Sequence, residues 1–157
     1  MSKEKILIRP ATPADAPQMR ELLPRLAEFQ LPTRRRAEDL WRSDEAMLLS
    51  WVAGNEPDFF AHVAILNDQV IGTVFVRMRE ELLSHEPSAH LEVLVMAQQA
   101  EGRGIGGKLV EAAEDEAKRR GAASMTLHVF ANNERARRLY DRAGYDGELL
   151  RYIKDFD

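Results

Sequence analysis

The chain of 157 residues contains no cysteine, which excludes disulfides, thiolate metal sites and a cysteine nucleophile. It has no basic excess either. The chain has 22 lysines and arginines and 26 aspartates and glutamates, and the resulting net charge of −4 argues against a nucleic-acid-binding protein. No apolar run approaches the roughly 20 residues of a membrane-spanning helix, and the first residues lack a signal-peptide pattern. These absences favour a cytoplasmic protein that binds neither nucleic acid nor a membrane.

The composition that remains is that of an ordinary globular protein, with 45% hydrophobic and 31% charged residues. A chain of this length buries roughly 70% of the surface that its unfolded form exposes, which is enough for one hydrophobic core. No internal repeat, low-complexity stretch or linker interrupts it. The sequence therefore predicts a single domain over residues 1–157.

Hydrophobic patterns and turn residues predict the element order β-α-α-β-β-β-α-β-α-β, a mixed α/β fold around a central sheet. The predicted strands are residues 6–9, 59–66, 69–79, 90–96, 124–129 and 148–153. The predicted helices begin near Thr12, Ala37, Gly106 and Asn133, and Pro24 is expected to bend or end the first one.

Three local signals refine this prediction. Asn67-Asp68 is typical of a hairpin turn between two strands. Gly72, inside the second of these strands, indicates a bulge or a close backbone approach. Thr12 is expected to accept a hydrogen bond from a first-turn N–H, and Gly121 is expected to end the third helix.

The segment 102–108, Gly-Arg-Gly-Ile-Gly-Gly-Lys, lies between a predicted strand and a predicted helix. Glycines at such a junction let the backbone turn tightly and direct several N–H groups at an anion, and the helix N-terminus adds positive charge. The segment contains the dinucleotide fingerprint G-x-G-x-x-G, but no acidic residue follows at the end of the next strand. It also contains G-x-x-x-x-G-K, but Leu109 stands where a nucleotide-binding loop needs Ser or Thr. Both interpretations are therefore disfavoured.

A third pattern, Q-x-x-G-x-G, begins at Gln99 and ends at Gly104. Downstream, residues 133–145 match N-x-x-A-x-x-L-Y-x-x-x-G-F/Y. The two motifs, in this order and at this separation, resemble the signatures of the GNAT superfamily of N-acetyltransferases, most strongly from Phe59 to Tyr145. The resemblance implies a GNAT-like α/β fold. Its central, mostly antiparallel sheet would contain a splayed parallel strand pair and be flanked by about four helices.

The same resemblance implies an N-acetyltransferase with acetyl-CoA as co-substrate. The enzyme would move an acetyl group to a primary amine of a small molecule or peptide, by direct attack in a ternary complex. A non-catalytic module that binds an acyl-CoA as a sensor or scaffold is the alternative. No metal is expected, because His62, His85 and His128 lack metal-ligand spacing. A homodimer is a possible assembly of such an enzyme.

The implied site residues fall on both motifs. The backbone cradle for the cofactor would consist of Glu101, Gly102, Arg103, Gly104, Ile105, Gly106, Gly107 and Lys108. The strand end Leu94, Val95 and Met96 would pair with the pantetheine arm, and one of its N–H groups would polarise the thioester. Asn133 would cap its helix and contact the cofactor, and Tyr140 would contact it as the general acid.

Three points stay open at this stage. Family members often carry Arg where this chain has Glu101, and a carboxylate beside a pyrophosphate is mildly unfavourable unless it points to solvent. The general base is Glu92, His90 or a water chain, and a bulge in their strand would change which residue faces the cleft. The acceptor would be selected by residues 28–51 and 79–88. The acidic residues of the second stretch attract a cationic amine or simply form a solvated loop.

The basic cluster at residues 34–36 is interpreted as a solvated helix start.

Overall fold

A computed structural model of the protein describes residues 5–156. Its strands are β1 (Leu7–Pro10), β2 (Phe59–Leu66), β3 (Gln69–Glu80), β4 (Pro87–Met96) and β5 (Met125–Leu127). Its α-helices are α1 (Ala16–Leu22), α2 (Arg42–Val52), α3 (Ile105–Arg119) and α4 (Glu134–Arg142). Short 3-10 turns occupy Pro13–Asp15, Leu23–Ala27, Ala37–Leu40 and Gln98–Ala100. The predicted element order is confirmed up to α4.

The five strands form one sheet in the order β1-β2-β3-β4-β5. The pairs from β1 to β4 are antiparallel, and β4 with β5 is parallel. A parallel pair needs a long crossover connection, which α3 supplies. The predicted α/β fold, with a mostly antiparallel sheet and one parallel pair flanked by four α-helices, is confirmed.

Helices cover both faces of this sheet, as the contacts of β2 show. Phe59 packs against Trp51 of α2, with ring centroids 5.5 Å apart. Phe60 lies under the guanidinium of Arg120, which follows α3, and His62 contacts Glu116 of α3 at 3.0 Å. Because neighbouring side chains of a strand point to opposite faces, α2 and α3 lie on opposite sides. The nearly continuous burial of β2 follows from this arrangement.

The β2–β3 hairpin confirms two local predictions. Asn67 and Asp68 adopt left-handed φ values of 50° and 63°, as a tight hairpin turn requires. The pairing shifts by one residue beside Gly72, and a Cβ there would lie 3.1 Å from Leu109 Cδ1 and from Met96 Cγ. A bulge and a close approach therefore both occur. Gly121 ends α3 with a φ of 94°, as predicted.

The N-terminal start of the first helical segment differs in detail from the prediction. The Thr12 hydroxyl accepts no capping hydrogen bond. Instead, the Asp15 carboxylate accepts from the Thr12 backbone N–H at 2.8 Å, and Arg9 pairs with the same carboxylate at 2.8 Å. The Thr12 hydroxyl itself donates to this carboxylate, at 3.3 Å from Asp15 Oδ2. Pro24 ends α1, which passes into a 3-10 turn, as expected.

The prediction of a last strand at residues 148–153 is wrong. The structure has no strand there, and Leu149, Leu150 and Tyr152 are exposed. Arg34 holds the segment through Asp155 at 3.0 Å and through the carbonyl of Ile153 at 3.4 Å. A β-rich composition does not provide the partner strand that a sheet needs, so the local pattern was misleading. Among the described helices, none is long and apolar enough to cross a membrane.

Candidate active site

A gap opens in the sheet where β4 and β5 stop pairing. Their pairing is confined to residues 89–91 and 125–127, whereas β4 continues to Met96. The Met96 carbonyl accepts a hydrogen bond from Arg25 Nε at 2.7 Å instead of from a strand. Backbone groups alternate in direction along a strand, so Leu94 presents its N–H and C=O on the same side as Met96. The structure thus leaves a stretch of β4 edge beside the gap without a strand partner.

The glycine-rich turn follows β4 and leads into α3. Gly102 and Gly104 adopt left-handed φ values of 75° and 72°, which side chains disfavour. No side chain caps the N-terminus of α3, so its first N–H groups keep their hydrogen-bonding capacity. A Cβ added at Gly102, Gly104 or Gly107 would meet no atom within 4 Å. This open, N–H-lined turn fits a pyrophosphate group.

Glu101, the unexpected acid in this turn, is compensated by two guanidinium groups. Its carboxylate lies 2.7 Å from Arg25 Nη2 and 3.1 Å from Arg135 Nη1. The side chain does not simply point to solvent, because it is paired on both sides. The two nearby positive charges oppose the repulsion that this carboxylate would exert on a bound pyrophosphate. Arg25 also ties the segment after α1 to the end of β4.

Gly106 lies where three elements meet. A Cβ there would lie 2.8 Å from Leu139 Cδ1 of α4 and 3.1 Å from Met96 Sδ of β4. Glycine at this position therefore lets α3 approach α4 and the strand end closely. Ile105, on the same turn, is buried in the core. The turn is held in place by packing, while its glycine surface stays open.

A cavity of about 500 Å³ occupies the gap between the strands. Five of the residues predicted for the site line it together: His90, Glu92, Leu94, Asn133 and Tyr140. The Val95 side chain is buried in the core instead. The residues of the glycine turn do not line this cavity, so cradle and cavity are separate parts of the site, joined by the end of β4.

The bulge considered for β4 is present. Phe75 pairs with Val93 and Val76 pairs with Leu91, so Glu92 is an extra residue without a partner on β3. A bulged residue re-aims its side chain relative to its neighbours. Three consecutive residues at the bulge, His90, Leu91 and Glu92, line the cavity, which a regular strand would not allow.

His90 is buried and held in one orientation. Its Nδ1 lies 2.7 Å from Thr126 Oγ1 and 3.1 Å from Arg79 Nη2. Burial, together with the charges of Arg79 and His128, lowers the pKa of His90 to about 4. A guanidinium can only donate, so Nδ1 accepts and the neutral ring carries its proton on Nε2. His90 therefore holds an N–H donor and no free ring acceptor.

Tyr140 and Asn133 occupy the α4 side of the cavity. Burial raises the pKa of Tyr140 to about 12, and its hydroxyl has no hydrogen-bond partner among the described residues. The ring packs edge-on against Tyr145 at 5.9 Å. Asn133 caps α4, as predicted, by accepting from the Ala136 N–H at 3.3 Å. Tyr140 thus keeps a protonated hydroxyl available beside the cavity.

A model of the acetyltransferase (GNAT) family matches residues 17–145, which is most of the chain. The chain belongs to the GNAT acetyltransferase family. It is therefore an N-acetyltransferase, and the resemblance noted in the sequence is confirmed.

Individual relatives agree with this GNAT assignment. The chain is 31% identical over 139 residues to YhfO, an uncharacterized N-acetyltransferase of Bacillus subtilis, and the match covers 88% of this chain and 89% of that protein. It is 34% identical over 110 residues to the 5-NmdU N-acetyltransferase of Pseudomonas phage PaMx11, over 69% and 72% of the two chains. An aminoglycoside N-acetyltransferase solved in complex with CoA has a TM-score of 0.75 at 15% identity, over 98% and 97% of the chains, and shares the fold.

One residue of this GNAT site was missed by the sequence prediction. Asp44, in the first turn of α2, lines the same cavity as Glu92. Burial raises the pKa of Asp44 to about 7, and the charge of Glu92 contributes in the same direction. No described residue forms a hydrogen bond or an ion pair with either carboxylate. In the sequence, Asp44 is indistinguishable from an ordinary first-turn acid of a helix, so no local signal marks it.

We expect Asp44→Asn to stabilise the free GNAT protein above neutral pH. The folded pKa near 7 exceeds the ordinary value near 4, so the unfolded chain binds fewer protons between these values. Stability is therefore lost as the pH rises from about 4 to about 7, and the asparagine variant avoids that loss. Its Tm should rise by a few degrees at about pH 8 and not at about pH 4. Asp115→Asn, on the exposed side of α3, is the matched control. A lower Tm at about pH 8 would show instead that the Asp44 carboxylate is stabilising.

Proposed function

We propose that this enzyme transfers the acetyl group of acetyl-CoA to a primary amine of a small molecule or peptide by direct attack in a ternary complex. The observation that carries the proposal is the gap between β4 and β5. It has the open glycine turn at one end and a cavity with a carboxylate and a neutral phenol between the strands. The absence of cysteine removes the route through an acyl-thioenzyme and supports direct attack.

The co-substrate would be held by backbone groups. The N–H groups of residues 101–107 receive the pyrophosphate, and Arg103 and Lys108 add positive charge nearby. The pantetheine arm lies along the free edge of Leu94–Met96, as an added strand would. The Leu94 N–H, which faces the gap, is placed to polarise the thioester carbonyl. Asn133 contributes a side-chain amide next to this arm, in addition to its capping role.

The chemical step removes two protons from the acceptor nitrogen and supplies one proton to the sulfur. The Glu92 carboxylate takes a proton from the acceptor ammonium, and the amine nitrogen then forms a bond to the thioester carbon. The carbon–sulfur bond breaks, and Tyr140 gives its proton to the departing thiolate. The nitrogen loses its second proton as the amide forms, and this proton returns to the Tyr140 phenolate. His90 is less suited to be the base, because its Nδ1 already accepts from Arg79 and its Nε2 carries the proton. We therefore assign the base to Glu92 and a donor role to His90.

Two measurements test this proposal. Calorimetry should show binding of acetyl-CoA and CoA and no comparable binding of ATP or NAD; failure of the CoA species to bind overturns the proposal. A screen of primary amines that follows release of the free thiol should detect turnover. Tight binding of acetyl-CoA without transfer to any amine would favour an acyl-CoA sensor instead.

We expect Tyr140→Phe to lower kcat by about 100-fold while leaving the affinity for acetyl-CoA nearly unchanged. The phenylalanine keeps the ring that packs on Tyr145 and removes only the hydroxyl that protonates the thiolate. Turnover is measured by thiol release and affinity by calorimetry. Tyr152→Phe, at an exposed position, is the matched control and should behave like the wild type. A wild-type rate in Tyr140→Phe would remove Tyr140 from the acid role.

A further inference from the structure

The cavity contains unpaired charges of both signs. Asp44 and Glu92 contribute carboxylates, and Arg35 and Arg151 contribute guanidinium groups. No described residue forms a hydrogen bond or an ion pair with any of these four side chains. Asp44, Glu92 and Arg35 are half-buried, and Arg151 is exposed at the cavity. A charge that is withdrawn from water is usually paired, either within the protein or with a ligand.

The carboxylates of Asp44 and Glu92 form a site suited to a cation. They are close enough that the charge of Glu92 disfavours ionisation of Asp44, and both are half-buried. Asp39, the third acid at the cavity, is already engaged, because it accepts from the Arg36 backbone N–H at 2.9 Å. His90 is neutral, and no histidine or lysine pairs with the two acids among the described residues. An ammonium group between Asp44 and Glu92 would relieve their repulsion, and Glu92 would then contact the reacting nitrogen.

The guanidinium groups of Arg35 and Arg151 form a site suited to an anion. Arg35 is half-buried beside the cavity, whereas Arg34 and Arg36 are exposed, as expected for this cluster. Arg151 is brought to the cavity by the C-terminal segment, which Arg34 anchors through Asp155 at 3.0 Å. The segment before α2 and the C-terminal segment thus each place a guanidinium group at the cavity. The carboxylates of the cavity come from α2 and β4. Arginine is the side chain best suited to carboxylate, phosphonate and phosphate groups.

Contacts between two loops hold part of the cavity lining together. Asn132 Nδ2 donates to the Gln30 carbonyl at 2.6 Å, and the rings of Phe29 and Phe130 lie 5.6 Å apart. These contacts join the segment before α2 to the segment before α4 across the gap. The cavity of about 500 Å³ would also receive the thioester end of acetyl-CoA, so the space suits only a small acceptor molecule.

We infer that the acceptor is a small zwitterion, a primary amine whose molecule also carries a carboxylate or phosphorus oxyanion group. Its ammonium lies between Asp44 and Glu92, and its anionic group contacts Arg35 and Arg151. This inference rests on the proposed acetyl transfer and specifies the class of its acceptor.

The test compares amines of matched length in the thiol-release assay with the full chain and acetyl-CoA. β-Alanine and γ-aminobutyrate are compared with propylamine and butylamine, which lack the anion, and with diaminopropane and diaminobutane, which replace it with a cation. Aminoethylphosphonate is included to separate a phosphorus oxyanion from a carboxylate. We expect the preferred zwitterion to exceed its neutral and dicationic partners by about tenfold or more in kcat/KM, as one charge-assisted contact allows.

Two variants locate the anion site. Arg35→Gln and Arg151→Gln should each reduce the preference for the zwitterion by about fivefold or more, because kcat/KM for the zwitterion falls much more than kcat/KM for propylamine, which has no anionic group. Arg36→Gln, next in sequence and outside the cavity lining, is the control and should keep the wild-type preference. Equal loss with all amines would assign the arginines to folding or to acetyl-CoA and would overturn the inference.

The outcomes separate this inference from the proposed function. Transfer to neutral amines or diamines at least as fast as to zwitterions overturns the inference and leaves acetyl transfer intact. Failure of acetyl-CoA to bind, or transfer to none of the amines, overturns the proposed function and the inference with it.

Discussion

Gly104→Glu should abolish detectable binding of acetyl-CoA, with an affinity loss of at least about 100-fold, while the protein stays folded. Gly104 precedes the first turn of α3 and has a left-handed φ of 72°. A glutamate there places a carboxylate at the positive helix end, where the pyrophosphate would bind, and it also strains the backbone by about 1–2 kcal/mol. A Cβ at this position meets no atom within 4 Å, so the side chain itself causes no clash in the core.

Two control variants separate charge from backbone strain. Gly104→Ala has the same φ penalty without the carboxylate, and we expect it to lose much less affinity. Gly107→Ala adds a Cβ to the helical part of the turn, where there is space, and should leave the fold intact. Calorimetry gives the affinities, and thermal unfolding gives the stability of each variant. Unchanged affinity in a folded Gly104→Glu protein would refute the assignment of the cradle.

The elements that the sequence predicted correctly depend on local chemistry. Asn67-Asp68 adopts the positive φ values that its turn needs, and Gly102 and Gly104 do the same before α3. Asn133 caps α4 through its own side chain. In each case the residue types and their spacing determine the conformation within a few residues, so no knowledge of distant partners is needed. The order of strands and helices followed from these signals together with hydrophobic periodicity.

The features that the sequence did not predict depend on contacts between distant segments. Glu101 pairs with Arg25, 76 residues away along the chain, and this ion pair compensates the negative charge of the carboxylate in the turn. Asp44 meets the charge of Glu92 only because α2 is placed beside the β4 bulge. The segment 148–153 lacks a strand partner in this fold, which no local pattern could indicate. Charge and pKa at the site are therefore properties of the assembled fold.

Glu92→Gln should lower kcat/KM at neutral pH by roughly 100-fold or more, with acetyl-CoA affinity close to that of the wild type. The glutamine keeps the size and shape of the side chain at the bulge and removes only its ability to accept a proton. The acceptor amine is almost fully protonated at neutral pH, because free amines have pKa values near 10. Without a base in the cavity, only the small neutral fraction of the amine can attack.

The pH profile then distinguishes a proton acceptor from a residue that only binds the acceptor ammonium. If Glu92 removes the proton, the variant's kcat should rise steeply between about pH 7 and about pH 9, as the neutral amine becomes more abundant, and should approach that of the wild type. If Glu92 only binds the ammonium, the variant's KM should rise while the shape of its kcat profile stays that of the wild type. His90→Gln is the control. The His90 ring already carries a proton on Nε2, so we expect this variant to change the rate without a steep rise of kcat with pH. Wild-type activity of Glu92→Gln at neutral pH would assign the removal of the proton to water.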